Sequence, residues 1–239
     1  MKRALVTGGS SPIGAAICAR LAAEGVSVIV HAHAHANRAA ALAERLRQGG
    51  ATAEAVAFDL TDAAACAQAV AGLLGQGPIQ IVVHNAGTHD DVPLAGMSPA
   101  QWRGVIDVSL NGFFNVIQPL LLPMLATRWG RIVAMSSLSG IMGNRGQVNY
   151  AAAKAGLIGA VRALSLECAA RGITVNAIAP GIIASPAVDA VLSKEKIASL
   201  VPMKRAGRPE EVAELTAFLA SDRAAYISGQ VISINGGIA

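Results

Sequence analysis

A single α/β domain built on a doubly wound parallel sheet is what this sequence predicts, and three observations predict it. Short β-branched runs alternate with alanine-rich helical runs along all 239 residues, joined by short connections, which implies parallel strands and right-handed crossovers. Hydrophobic residues make up 53% of the chain but aromatic residues only 3%, so the core must be aliphatic, as in strands buried on both faces beneath stacked helices. No linker-like break, internal repeat or low-complexity tail interrupts the alternation, so residues 1–239 are expected to form one domain.

Taken in order, RALVTGG begins as a strand and SPIGAAICARLAAEG continues as a helix. VSVIVHA is a second strand, and NRAAALAERLRQGG is a second helix that stops at its glycines. TAEAVAFDLT, a helix running through GLLGQG, and IQIVVHNAG repeat the unit. A long helix then runs from SPAQWRGVI through apolar positions as far as ATRW, followed by the strand GRIVAMSS, a helix around YAAAKAGLIGAVRALSLECAARG and the strand ITVNAIAP. After a polar, proline-marked stretch, IIASPAVDAVLSKEKIASLVPMKRAGRPEE, come the helix VAELTAFLAS and a last strand, QVISINGG. Sheets of this kind take ligands beyond the carboxyl ends of their strands, at the point where strand order reverses. Thr7 to Gly14, Asn85 to Gly87, Ser137 and Pro180 to Gly181 all follow such strands.

Composition excludes several classes. A formal charge of +4 with no interleaving of aromatic and basic residues gives no footprint for nucleic acid. Cys18, Cys66 and Cys168 are odd in number, widely spaced and set in alanine-rich helical patterns, which reads as reduced core thiols rather than a disulfide frame or a metal site. No apolar run free of charge, glycine or proline reaches membrane-spanning length, and MKRALVTGG turns glycine-rich too soon for a signal peptide. The expectation is a cytoplasmic protein with no membrane partner and no metal.

The stretch TGGSSPIG, residues 7–14, lies between the first strand and the first helix. A strand, a glycine turn and a helix in succession, the opening of a Rossmann fold, aim free N–H groups and the positive end of the helix dipole at a phosphate. Gly8 and Gly14 allow the turn and the close approach, leaving Ser10, Ser11 and the Ile13 N–H as donors. Pro12 fits only at the first helical position, where its fixed φ suits the helix and its missing N–H has no helical partner. No Asp or Glu occurs between Gly25 and Ala43, where an acid would hold the 2′-hydroxyl of NAD. The pattern therefore favours NADP(H) over NAD(H). His31, His33 and His35 alternate as a shared face would, which raises a metal site; without a carboxylate or thiol partner they read instead as exposed or phosphate-facing loop residues.

Tyr150 and Lys154 stand four apart in a helical run, so phenol and ammonium share one face. An adjacent ammonium and a cationic nicotinamide would favour the ionised phenol and bring its pKa toward the working range of an acid–base catalyst. Ser137, at the end of GRIVAMSS, would hydrogen-bond the same substrate oxygen.

Together TGGSSPIG, Asp59-Leu60, HNAG at 84–87, the serine separated by twelve residues from the Tyr-x-x-x-Lys pair and Pro180-Gly181 resemble the short-chain dehydrogenase/reductase family. Within it, GQVNYAAAKAGLIG, RGITVNAIAPG, RPEEVAELTAFLASD and AAYISGQVISINGG are most similar to the 3-oxoacyl-acyl-carrier-protein reductases. The resemblance implies NADPH-dependent reduction of a 3-oxoacyl thioester, borne by acyl carrier protein, within fatty acid biosynthesis. It assigns Ser137 to substrate orientation, Tyr150 to proton donation, and Lys154 to the ribose hydroxyls and the phenol. Asp59 and Leu60 would bracket adenine, Asn85, Ala86 and Gly87 would line the dinucleotide, Pro180 and Gly181 would lie in the cofactor crevice, and Ile183 with Ser185 would meet the carboxamide. It further implies a lid over about 183–208, a carrier-protein patch at Arg128 and Arg171, and a homotetramer.

Three departures stand out. Pro12 replaces the middle glycine of the phosphate loop, and HNAG replaces the commoner NNAG. In the family an asparagine in an N-L-x-G segment bends a helix and holds a water linking the lysine to solvent; this segment reads SLNG, placing Ser109 there and displacing Asn111 by two residues. The resemblance leaves open an NADP-dependent ketoreductase or alcohol dehydrogenase of a polyketide, polyene or other pathway, and a low-activity, cofactor-binding partner subunit.

Overall fold

The valine- and isoleucine-rich runs pair side by side. In a computed structural model describing residues 1–239, the strands are β1 (Arg3–Thr7), β2 (Ser27–Ala32), β3 (Ala53–Ala57), β4 (Ile81–His84), β5 (Gly130–Met135), β6 (Ile173–Pro180) and β7 (Val231–Ile234). They make one parallel sheet in the order β3-β2-β1-β4-β5-β6-β7. The order reverses between β1 and β4, so a crevice opens there beyond the strands' carboxyl ends.

Alternate residues of the strands face opposite sides, and both sides are covered. Ala4, Val6, Val28 and Val30 join one core cluster with α1 (Pro12–Ala23), α2 (Ala36–Gln48) and α10 (Pro209–Leu219). Leu5, Ile29, Val82 and Ile132 join the other with α3 (Ala63–Leu74), α5 (Gly112–Thr127) and α7 (Val148–Cys168). The clusters hold 24 and 23 buried residues, so neither face dominates, as a doubly wound sheet requires. Cys18, Cys66 and Cys168 are free and buried in these layers, and burial pushes the Cys18 thiol up to about 12.

The long helix expected after β4 is present, with an interruption the pattern did not foretell. Its first part, α4 (Pro99–Ile106), carries a full capping box at Ser98 and Gln101. A five-residue π turn, Asp107–Asn111, follows and leads into α5. The rod from Pro99 to Thr127 spans 29 residues and is, by length and composition alone, apolar enough to cross a membrane. Its interruptions are Arg103, Gly104, Asp107, Gly112, Pro119 and Pro123, and one side is buried at Val105, Phe113, Val116 and Leu120. Three short helices complete the fold: α6 (Leu138–Met142), α8 (Pro186–Asp189) and α9 (Lys194–Leu200). The last two fall inside the stretch expected to form a lid.

Candidate active site

At the reversal point lies a cleft of ≈ 590 Å³, lined by the loop after β1, the ends of β2 and β3, and the loop after β4. Pro12 is the first residue of α1, and Ser11 caps the helix, its hydroxyl accepting the Gly14 N–H at 3.1 Å. The Ser11 N–H is spent on the Gly8 carbonyl, which leaves its O–H as the group that can still donate; the Ile13 N–H stays free at the helix start. Gly8 adopts φ +60, and Gly14 lies so close beneath the loop that a Cβ there would strike the Gly8 carbonyl and come within 2.8 Å of Gly9 Cα. Asn85 ties the loop down, its amide donating to the carbonyls of Thr7 and Gly8 and to the Ser11 hydroxyl.

Of the expected cofactor residues, Gly8, Ser10, Ser11, His31, His33, Asp59, Leu60, Asn85, Ala86 and Gly87 line this cleft. His31 needs a correction: it is buried in β2, not an exposed loop residue. The Gly8 N–H donates to its Nδ1 at 3.2 Å, and its Nε2 lies 3.0 Å from the Phe58 carbonyl. That carbonyl only accepts, so Nε2 carries the proton and both ring nitrogens are spent on bracing the backbone around the loop. Burial lowers its pKa to about 4, which keeps it neutral. His33 is exposed, 3.7 Å from the Asp59 carboxylate. The Thr61 N–H holds that carboxylate below its ordinary range. Arg38, which sequence reading passed over, lines the cleft beside His35 in the first turn of α2. Its signal was available: a cation three residues past the third histidine.

Beyond Gly87 the cleft gives way to the catalytic candidates. Ser136 and Ser137 continue β5, and Ser137 caps α6 by accepting the Ser139 N–H at 3.1 Å. Gly140 lets α6 touch α7, since a Cβ there would fall 2.8 Å from the Lys154 carbonyl carbon. This contact brings the Ser137 hydroxyl near enough to the Tyr150 phenol to favour its ionised form. Asn149 anchors the start of α7 by donating to the Asp90 and Gln101 carbonyls. Gln147 donates to Asp91 at 2.7 Å and accepts from the Ser139 hydroxyl. Neither residue stood out in the sequence, because amides in a helix-leading segment carry no distinctive spacing.

Lys154 is buried, its amine donating to the Met135 carbonyl at 2.8 Å and standing 5.5 Å from the Tyr150 ring centroid. Burial lowers its pKa to about 8. The expectation for Tyr150 is reversed in the protein alone. Burial raises the phenol above its ordinary range, the nearby Ser137 hydroxyl opposes this, and Asp91 adds to it. The amine is turned toward a carbonyl instead of the phenol oxygen, so Tyr150 rests protonated, as a proton donor must. Ser109 is wholly buried, its hydroxyl without a partner, while Asn111 is exposed and donates to Asp107 at 2.7 Å.

The remaining candidates lie around this end. Pro180 closes β6, and Gly181 fits tightly against Asn235, where a Cβ would be 2.8 Å from that side chain. Ile183 forms a bridge with Gly207 that uses the Ile182 carbonyl and the Ala184 N–H, so neither polar group of Ile183's own backbone is spent on it. Ser185 caps α8. Arg128 and Arg171 are exposed at the amino ends of β5 and β6, one strand length, roughly 20 Å, from Ser137. Within one chain they are not brought to the cleft.

A glycine turn at a helix start, a groove over the strand reversal and a Ser-Tyr-Lys group at its end define a nicotinamide-dependent oxidoreductase on a dinucleotide-binding sheet. The groove fits such a cofactor: Gly8 and Gly14 leave the room that a Cβ would fill, and the Ile13 N–H is unspent. A family model described as enoyl-(acyl carrier protein) reductase matches residues 8–239. The chain is similar to the 3-oxoacyl-acyl-carrier-protein reductase FabG of Aggregatibacter actinomycetemcomitans, at 42% identity over 98% of each chain. It is similar to the protein of the same name from Staphylococcus aureus, at 41% identity covering 99% of this chain and 98% of that one. An acetoacetyl-CoA reductase of Rhizobium meliloti is 45% identical over 98% of this chain and 97% of its own. The chain belongs to the short-chain dehydrogenase/reductase family.

Proposed function

We propose that the protein reduces the C3 carbonyl of a 3-oxoacyl thioester to the 3-hydroxyacyl product, with NADPH as reductant and acyl carrier protein as the bearer of the acyl group. One observation carries the reading: Ser137, Tyr150 and Lys154 gather beyond the end of β5, with the Lys154 amine 5.5 Å from the Tyr150 ring centroid and the dinucleotide groove adjoining. A bound nicotinamide would supply the hydride that C3 takes up. Ser137 orients the carbonyl oxygen, and Tyr150 gives that oxygen its proton, so C=O becomes CH–OH and a phenolate remains. Lys154 stabilises the phenolate and stands on the route by which its proton is restored.

Residues along the groove support the finer points. Gly8, Ser10 and Ile13 would hold the diphosphate, Asp59 and Leu60 the adenine, and Ile183 and Ser185 the carboxamide. His33, His35 and Arg38 cluster where a 2′-phosphate would lie, and the end of β2 carries no acid, which favours NADP(H). Residues 183–208 would cover the acyl chain. Phe114, Leu122 and Leu166, 64%, 76% and 83% exposed on α5 and α7, suit packing between copies in a homotetramer. A carrier docked on Arg128 and Arg171 would then serve another protomer's site. The proposed location is the cytoplasm. A second reading, reduction of a 3-oxoacyl-CoA, is favoured by the 45% identity to the acetoacetyl-CoA reductase.

The test is oxidation of NADPH and NADH with acetoacetyl thioesters of carrier protein and of CoA, longer 3-oxoacyl thioesters and simple ketones. Fastest turnover of NADPH with carrier-bound substrate is expected. Activity confined to simple ketones would overturn the substrate class, and preference for the CoA thioester would select the second reading.

A further inference from the structure

The two departures at residues 84 and 109 meet in the structure. His84 ends β4 and is fully buried, with Phe113 edge-on at 5.5 Å between ring centroids. Its Nε2 lies 2.9 Å from the Ser109 carbonyl and its Nδ1 3.3 Å from the Thr7 hydroxyl. A carbonyl only accepts, so Nε2 carries the hydrogen and Nδ1 accepts from Thr7. The Thr7 oxygen then accepts the Asn85 and Ala86 N–H groups, each at 3.1 Å. The chain of bonds runs in one direction, from the loop after β4 to the π turn, with donors and acceptors matched throughout.

Ser109 sits inside that π turn. Its hydroxyl, buried and unpartnered, borders the same small space as the Lys154 amine: a Cβ on Gly87 would lie 2.9 Å from the amine and 3.3 Å from the hydroxyl. Gly87 therefore keeps open the space across which the two groups face each other. A buried hydroxyl requires a partner, and the amine, with one N–H spent on Met135, has donors to spare.

We propose that His84 is a positioning residue for Lys154: it holds the Ser109 carbonyl so that the Ser109 hydroxyl faces the amine across Gly87 and accepts its hydrogen bond, directly or through one water. This rests on the role given to Lys154 above. The titratable groups that face the amine are Tyr150 on its own helix and His84 on β4. The hydroxyl supports the charged amine against burial, and the ring's contribution is aim.

The test reads the amine itself, so it does not depend on which substrate is reduced. In protein labelled at the lysine side-chain carbons, the Lys154 resonance, assigned through Lys154→Arg, is followed with pH. Ser109→Ala is expected to lower the titration midpoint by about half a pH unit or more, His84→Phe by a similar amount, and the double variant no further than either. His84→Gln, which keeps a side-chain N–H for the Ser109 carbonyl, should recover most of the shift. An unmoved midpoint in folded His84→Phe, or additive shifts in the double variant, would overturn the proposal. Should His84→Phe not fold, nitrogen NMR of the wild-type ring decides. A neutral ring protonated at Nε2 agrees with the proposal, and the opposite tautomer contradicts it.

Discussion

His31 and His84 lie at the carboxyl ends of the strands on either side of β1, both buried and both neutral, yet they brace opposite ends of the groove. His31 works between backbone groups, taking the Gly8 N–H and serving the Phe58 carbonyl. His84 works from a side chain, Thr7, to the carbonyl of an irregular turn. The phosphate turn at the nucleotide end is thus shaped by backbone and by Gly8 and Gly14, where a Cβ would be an obstruction. The reducing end is shaped by buried polar side chains, each needing its neighbour's orientation. Damage to the first should cost binding, and damage to the second should cost chemistry.

The largest break in that comparison is expected from Gly14→Ala. Its Cβ meets backbone on both Gly8 and Gly9, which cannot yield as a side-chain tip would. NADPH affinity, measured by fluorescence titration, should fall by at least about a hundredfold, roughly 3 kcal/mol. An unchanged affinity would show that the loop is not the phosphate site.

Acid tests both histidines together. Their pKa values in the fold are lowered to about 4 for His31 and about 3 for His84, from an ordinary 6.5. The unfolded chain therefore takes up their protons first, and their support is complete above about pH 6.5 and lost as pH falls toward those values. By pH 5 each ring should have cost about 2 kcal/mol, before most carboxylates titrate. Urea midpoints at pH 7 and pH 5 measure this, and equal stability at the two would mean that the rings are not held neutral.

The smallest effect sharpens the nucleotide end. Arg38→Ala should weaken NADPH binding about tenfold, near 1.4 kcal/mol, and leave NADH within about twofold. Equal losses for the two cofactors would place Arg38 away from the 2′-phosphate.

The same division governs what could be read from sequence. Strand and helix periodicity, the Ser11-Pro12 helix start and the four-residue spacing of Tyr150 and Lys154 are local, and all appear where the pattern puts them. The π turn was not legible from periodicity, since a widened helical turn has none of its own; only the resemblance, through its helix-bending N-L-x-G segment, pointed to a break there. His31 misled because alternating histidines at a strand end look like a solvent edge, and its burial comes from Phe58 and the Gly8 loop, which are distant in sequence. The phenol's resting state likewise depends on burial and on where the Lys154 amine turns, neither of which spacing encodes.

Replacing Tyr150 with phenylalanine bears most directly on the central claim, that this hydroxyl delivers the proton while the groove binds the nucleotide independently. Turnover of a 3-oxoacyl thioester should fall by about a thousandfold or more, with NADPH affinity within about twofold of the parent. A variant that keeps the parent's turnover would contradict the account.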